Sequence, residues 1–128
     1  MRNSPVRETL QATAVISKTT QTLIGKIIPC GGYDFVTLFF TYTKGDETGL
    51  TITPWFMNTV DGTAHPFAEW STAAGAKTTT ASTYTLTATV SRTITVDVRG
   101  IEYIKFTQGG TSNDGTPTGT LAAAYSMK

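Results

Sequence analysis

Hydrophobic and polar residues alternate with a period of two along most of this chain, the spacing of strands with one buried and one wet face. Leu10, Ala12, Ala14 and Ile16 share one face of a first strand. After a polar turn at residues 17–21, residues 22–28 read as a second strand. Gly25 interrupts it and signals a bulge or a close backbone approach. Pro29-Cys30-Gly31-Gly32 ends it. Residues 35–43 form the strongest strand, apolar on both faces in its middle, as a central strand covered on each side would be. A charged turn at residues 44–49 leads to Leu50, Ile52, Pro54 and Phe56, alternating with Thr51, Thr53, Trp55 and Met57. Pro54 has no N–H, so this strand lies at an edge or carries a bulge there.

Residues 58–83 are the least regular. Val60-Asp61-Gly62-Thr63 reads as a turn and residues 65–70 as a short strand. Residues 71–82 contain only Ser, Thr, Ala, Gly and Lys and read as a surface loop. Loops of that length in compact domains often make contacts. Tyr84, Leu86, Ala88 and Val90 then alternate with threonines, Ser91-Arg92 reads as a tight turn, and Ile94, Val96 and Val98 alternate with Thr93, Thr95 and Asp97. These two runs predict a hairpin with one apolar and one threonine face. A strand at 101–107, a Gly/Asn/Asp/Pro loop at 108–117, and a last strand at 118–126 follow, the last with Gly119, Leu121, Ala123 and Tyr125 on one face. The sum is eight or nine strands and no helix longer than a turn. The expected fold is all-β: a single antiparallel β-sandwich, jelly-roll-like, over residues 9–128, preceded by an extended polar arm over residues 1–8.

Composition agrees. Of 128 residues, 28 are threonine, a β-branched residue that fits a pleated, half-wet surface better than a helix. Six Phe, five Tyr and two Trp, with the Val/Ile/Leu runs, argue against disorder. Ten basic and nine acidic residues leave a formal charge of +1, scattered without a basic stripe, so a nucleic-acid partner is not expected. Cys30 is the single cysteine; no intrachain disulfide can form, and it reads as a small buried residue. No apolar run approaches the roughly 18 residues of a membrane helix, and residues 1–8 lack the apolar core of a signal peptide. No membrane partner is therefore expected, and synthesis in a cytoplasm is.

The chain offers little chemistry. With one histidine and one cysteine, a closed zinc site is excluded. Asp61, His65 and Glu69 share a spacing of four, but on a strand that spreads them over about 13 Å, too wide for one ion. Asp46-Glu47 and Asn113-Asp114-Gly115 carry oxygen ligands of the kind calcium takes, yet read better as ordinary turns. No nucleophile elbow, phosphate loop or dinucleotide fingerprint is present, and the nine acids select no facing pair. Neither an enzyme nor a cofactor is expected. Aromatic residues remain. Trp55 lies on the threonine face of its strand, where it either joins a core or offers a ring to a partner, and Trp70 borders the long loop. The candidate partner contacts are Arg2, Pro5 and Arg7 in the arm, Trp55, Trp70, and Lys77 in the loop.

Gly32-Tyr33-Asp34-Phe35-Val36-Thr37-Leu38, then Tyr42-Thr43-Lys44-Gly45-Asp46-Glu47-Thr48, resembles small virion proteins of tailed bacteriophages, namely head decoration or cement proteins and minor head or tail components. So does Tyr103-Ile104-Lys105-Phe106 followed by Gly115-Thr116-Pro117-Thr118-Gly119-Thr120-Leu121. The likeness spans most of the chain as a style of strand and turn, without a diagnostic signature, and carries over no functional residue. It implies a non-enzymatic structural protein of the virion, binding a major capsid or other virion protein through its arm, loops and strand edges. It also implies a homo-oligomer, a trimer being the natural choice on a capsid. The alternative is a carbohydrate- or receptor-binding module of a fibre or similar appendage, which would use Trp55, Trp70 or Tyr33 as an exposed ring.

Overall fold

The computed structural model describes residues 7–18, 20–66, 68–71, 78–81, 83–111 and 116–128, with 68–71 and 78–81 described by their backbone. Twelve strand segments make up its regular structure: β1 (Glu8–Val15), β2 (Thr22–Leu23), β3 (Ile28–Pro29), β4 (Phe35–Thr43), β5 (Gly49–Met57), β6 (His65–Pro66), β7 (Ala68–Ser71), β8 (Thr78–Ala81), β9 (Tyr84–Leu86), β10 (Val90–Asp97), β11 (Tyr103–Thr111) and β12 (Thr120–Met127). One sheet runs β1-β12-β4-β10. The facing sheet runs β2-β11-β5-β6, with β3 also on β11 and β9 also on β5. β7 and β8 form a separate ribbon. All ladders are antiparallel.

The pairing has a simple logic. With β2 and β3 taken as one broken strand and β6–β8 set aside as an insertion, the first strand pairs the eighth, the second the seventh, the third the sixth and the fourth the fifth. That is one long hairpin rolled up, with β4–β12 and β5–β11 closing the roll, and it is the connectivity of a jelly roll. The core follows from the alternation. Val36, Leu38, Phe40 and Tyr42 of β4, Ile94 and Val96 of β10, and Leu121, Ala123 and Tyr125 of β12 are buried. They form one cluster with Leu50 and Ile52 of β5, Ile104 and Phe106 of β11, Ile28 and Leu86.

Several expectations need correction. The predicted hairpin of residues 83–98 does not form. β9 pairs β5 while β10 pairs β4, so the chain crosses between sheets at residues 87–89. Ser91 and Arg92 are strand residues of β10 rather than a turn. In β1, register shifts between Thr9 and Gln11 and between Gln11 and Ala14 break the alternation. Leu10 and Ile16 are buried but Ala12 and Ala14 are exposed. The second strand is split: Gly25, at φ +64°, turns the backbone between β2 and β3, and a side chain there would strike the Leu10 carbonyl. The close approach signalled by that glycine is real. β11 runs on to Thr111 through Gly109 and Gly110, where a loop was expected, because the Gly110 N–H donates to Ser17 O across a gap too narrow for a side chain. The expected loop at 71–82 contains strand at both ends, since Ser71 pairs Thr78. Pro54 is held by β11 on one side; on the other it falls between the short partners β9 and β6, so its missing N–H meets an interruption, as a local edge would require.

Candidate functional site

β4 is central in its sheet, but only its inner face is covered by another layer. On the outer face Phe35 and Thr41 are exposed, and Thr37 and Phe39 are half-buried. Cross-strand register sets Thr9, Ala124, Phe39 and Thr93 in one row across all four strands. Ala122, Thr41 and Ser91 form the next, and Ser126, Thr37 and Thr95 a third. Within two of these rows hydroxyls link β4 to β10: Thr41 Oγ1 to Ser91 Oγ at 2.9 Å and Thr37 Oγ1 to Thr95 Oγ1 at 3.0 Å. Small side chains along β12 leave an open groove of about 660 Å³, lined among others by Thr9, Thr13, Phe39, Thr93, Ala122 and Ala124. Arg7 covers Phe39, its guanidinium carbon 4.8 Å from the ring centroid.

Of the expected contacts, the structure therefore places Arg7 on this face. Trp55 sits on the outer face of the other sheet, half-buried. Its Nε1–H donates to Thr107 Oγ1 at 2.8 Å, and Thr107 donates in turn to Gln21 Oε1 at 2.8 Å, so its polar end is committed within the fold. Arg2, Pro5, Lys77 and the Trp70 side chain lie outside the described residues. Tyr33, 43% exposed, and Phe35, 38% exposed, stand at one end of the sandwich, where Arg99 lies 5.8 Å from the Phe35 centroid. Arg99 also binds Asp97, and its hydrogen bonds hold that carboxyl at about 2.

The remaining candidates have structural settings. Glu47 is not a solvated turn residue: it is 1% exposed. Burial alone would raise its pKa, but the Tyr42 hydroxyl and the N–H groups of Gly45 and Gly119 all donate to it and hold it at about 2. Burial first, then the hydrogen bond to Glu47 and the charge of that carboxylate, push the Tyr42 phenol well above its usual range. Cys30 is buried, donates to Ile101 O, and is raised to about 11 by desolvation and by Glu102, so it stays a thiol at neutral pH. His65 is exposed on β6 opposite Phe56, and Asp61 is exposed in the preceding turn. Asn113-Asp114-Gly115 lies outside the described residues. Arg92, read from the sequence as a turn residue, is an exposed strand residue of β10 at an inward-facing position opposite Phe40. Its place in the Val90–Val98 alternation was the available signal.

No family model matches the chain, and no curated protein matches it. Solved structures do. The SPBc2 prophage-derived protein YomS aligns with 100% of this chain and 98% of its own, at 12% identity and a TM-score of 0.56. A chain in the structure of infectious bursal disease virus, Gx strain, aligns with 97% of this chain and 31% of its own, at 11% identity and a TM-score of 0.54. At such identities the likeness shows a shared fold: the β-sandwich built here from its registers also occurs in a prophage-derived protein and in a virus.

Proposed function

We propose that the chain is a non-enzymatic structural component of a virion, a decoration or cement subunit that binds and stabilises a protein lattice. The observation that supports this most is the outer face of the β1-β12-β4-β10 sheet. Threonine, serine and alanine tile four strands with Phe35 and Phe39 among them, where an independent soluble domain places lysine and glutamate. Such a face meets a partner at low desolvation cost, because hydroxyls re-pair easily and carry no charge. The fold shared with a prophage-derived protein agrees with the reading. A homo-oligomer, trimeric on a capsid, is the arrangement proposed. Quantitative mass spectrometry of particles purified from producing cells tests it. The expected result is a fixed, stoichiometric copy number that survives a density gradient. A chain that stays wholly in the soluble fraction while particles are released would overturn it.

The exposure of Tyr33 and Phe35 at one end of the sandwich favours the second reading, a carbohydrate- or receptor-binding module. Binding on a glycan array, lost in Tyr33→Ala, would select that reading instead.

A further inference from the structure

Arg92 breaks an otherwise apolar lining at one edge of the sandwich. Along β10 the inward positions are Val90, Arg92, Ile94 and Val96, opposite Tyr42, Phe40, Leu38 and Val36 of β4. The three valine and isoleucine side chains pack on the core, and the alternation sets a guanidinium among them. Across the gap between the sheets stands β9, whose Tyr84 and Leu86 pair with Ile52 and Leu50 of β5 and pack on the same core. Among the described residues β9 pairs β5 alone and β10 pairs β4 alone, so no strand bridges the two sheets here. Phe40, Tyr84, Leu86, Arg92 and Ile94 line the cleft left between them, a space of about 420 Å³. Small-ligand sites occupy about 300–1,000 Å³. All five residues hold inward positions, so this space lies between the sheets, whereas the groove beside Arg7 and Phe39 lies outside them.

Arg92 is exposed and makes no ion pair among the described residues. No described residue lining the cleft is acidic. The buried carboxylate of the core, Glu47, is committed to Tyr42, Gly45 and Gly119. A guanidinium presents a planar fork of N–H donors that fits a carboxylate, and its charge counts for more beside apolar walls than in open water. We infer that this cleft binds a carboxylate anion with an apolar, ring-bearing body. The carboxylate meets Arg92, and the body lies among Phe40, Tyr84, Leu86 and Ile94, where aromatic walls favour a ring. A free acid and the C-terminal residue of a polypeptide offer this same chemistry. A wholly apolar ligand would desolvate Arg92 without pairing it. A phosphate chain would need several cations, and the described lining holds one. The inference goes beyond the structural role proposed above and does not depend on it.

The test is an amide-shift titration of the isotope-labelled full chain with 3-phenylpropanoate and with its uncharged twin, 3-phenylpropanamide. The acid is expected to shift the amides of Phe40, Leu86, Arg92 and Ile94 and to leave Thr9 and Ala124 on the outer face unmoved. Binding should weaken at least ten-fold for the amide, and likewise for Arg92→Gln, whose spectrum away from the cleft is retained because the position is exposed. The comparison of acid with amide on the wild-type chain needs no variant to fold. Equal binding of acid and amide, or no cleft shift at millimolar acid, would overturn the inference. So would shifts confined to the outer face, or tighter binding of inorganic phosphate than of the acid. Acetyl-Thr-Thr-Phe with a free C-terminus separates the two sources. Tighter binding than 3-phenylpropanoate supports the site as a reader of a polypeptide terminus, and weaker binding supports it as a site for a free acid.

Discussion

Glu47 is a carboxylate almost wholly withdrawn from solvent. It is the buried end of the β4–β5 turn, and its carboxylate joins Tyr42, Gly45 and Gly119, three points otherwise separated by the roll. A Cβ on Gly119 would strike the Glu47 carboxylate, so the close fit needs glycine there. Because the folded pKa of about 2 lies below the ordinary 4.5, the carboxylate contributes fully above about pH 4.5, and the contribution is lost as pH falls toward 2. Its size is on the order of 3 kcal/mol. Glu47→Gln, which keeps the shape but sets an NH2 against backbone donors, should cost about 1–3 kcal/mol at pH 7 in urea unfolding. The gap between variant and wild type should close as the pH approaches 2. Parallel stability curves for the two proteins across that range would contradict this assignment. Glycines separate two effects at the same scale. Gly25 and Gly100 both have positive φ, +64° and +82°, but only at Gly25 would a Cβ meet other atoms. Gly100→Ala should therefore cost about 1–2 kcal/mol from backbone conformation alone, and Gly25→Ala clearly more. Thermal melts of the two variants measure the difference.

Among elements, β10 shows how sequence signals were both informative and misread. Its alternation correctly separated Ile94 and Val96 in the core from Thr93 and Thr95 outside. The partner was wrong, because a hairpin was assumed between neighbours in sequence, and the alternation of 84–90 fits β9 equally well on β5. Nothing local distinguishes the two: the choice is made by Leu86 packing into the core under the opposite sheet. β10 is also an edge strand, paired among the described residues with β4 alone. Arg92 takes one of its inward-facing positions, a charge that discourages a foreign strand from adding to this edge. Arg92→Val should therefore raise strand-to-strand association, seen as a concentration-dependent increase in mass over the wild type by light scattering; a mass equal to that of the wild type would argue against an edge-guarding role. The outer face of β4 was misjudged for a related reason. Phe35 and Phe39 read as signs of a covering layer, whereas Arg7 lies over the Phe39 ring and Phe35 stays exposed. That pairing spans 32 positions and leaves no local trace.

At the scale of the molecule, the fold class was legible because period-two alternation and threonine content repeat over the whole chain, so single misreadings did not change it. The order of strands was not legible. In a jelly roll the first strand pairs the last, and β1–β12 joins Glu8 to Tyr125. Such pairings close long loops before contacts compensate, so refolding should occur over milliseconds to seconds, with stopped-flow fluorescence of Trp55 as the readout. The candidate surface was half legible. Arg7 is among the sequence candidates, but the groove beside it exists only once β1, β12, β4 and β10 lie side by side. The threonine-rich composition thereby acquires a location, since the hydroxyl rows of β4 and β10 form the face proposed to meet the lattice. A cryo-electron microscopy reconstruction of particles from producing cells tests that claim most directly. The account predicts this jelly roll at regularly repeated positions, with the Phe39–Ala124 face buried against a neighbouring subunit. Particles that lack the chain, or that carry it with this face open to solvent, would contradict it.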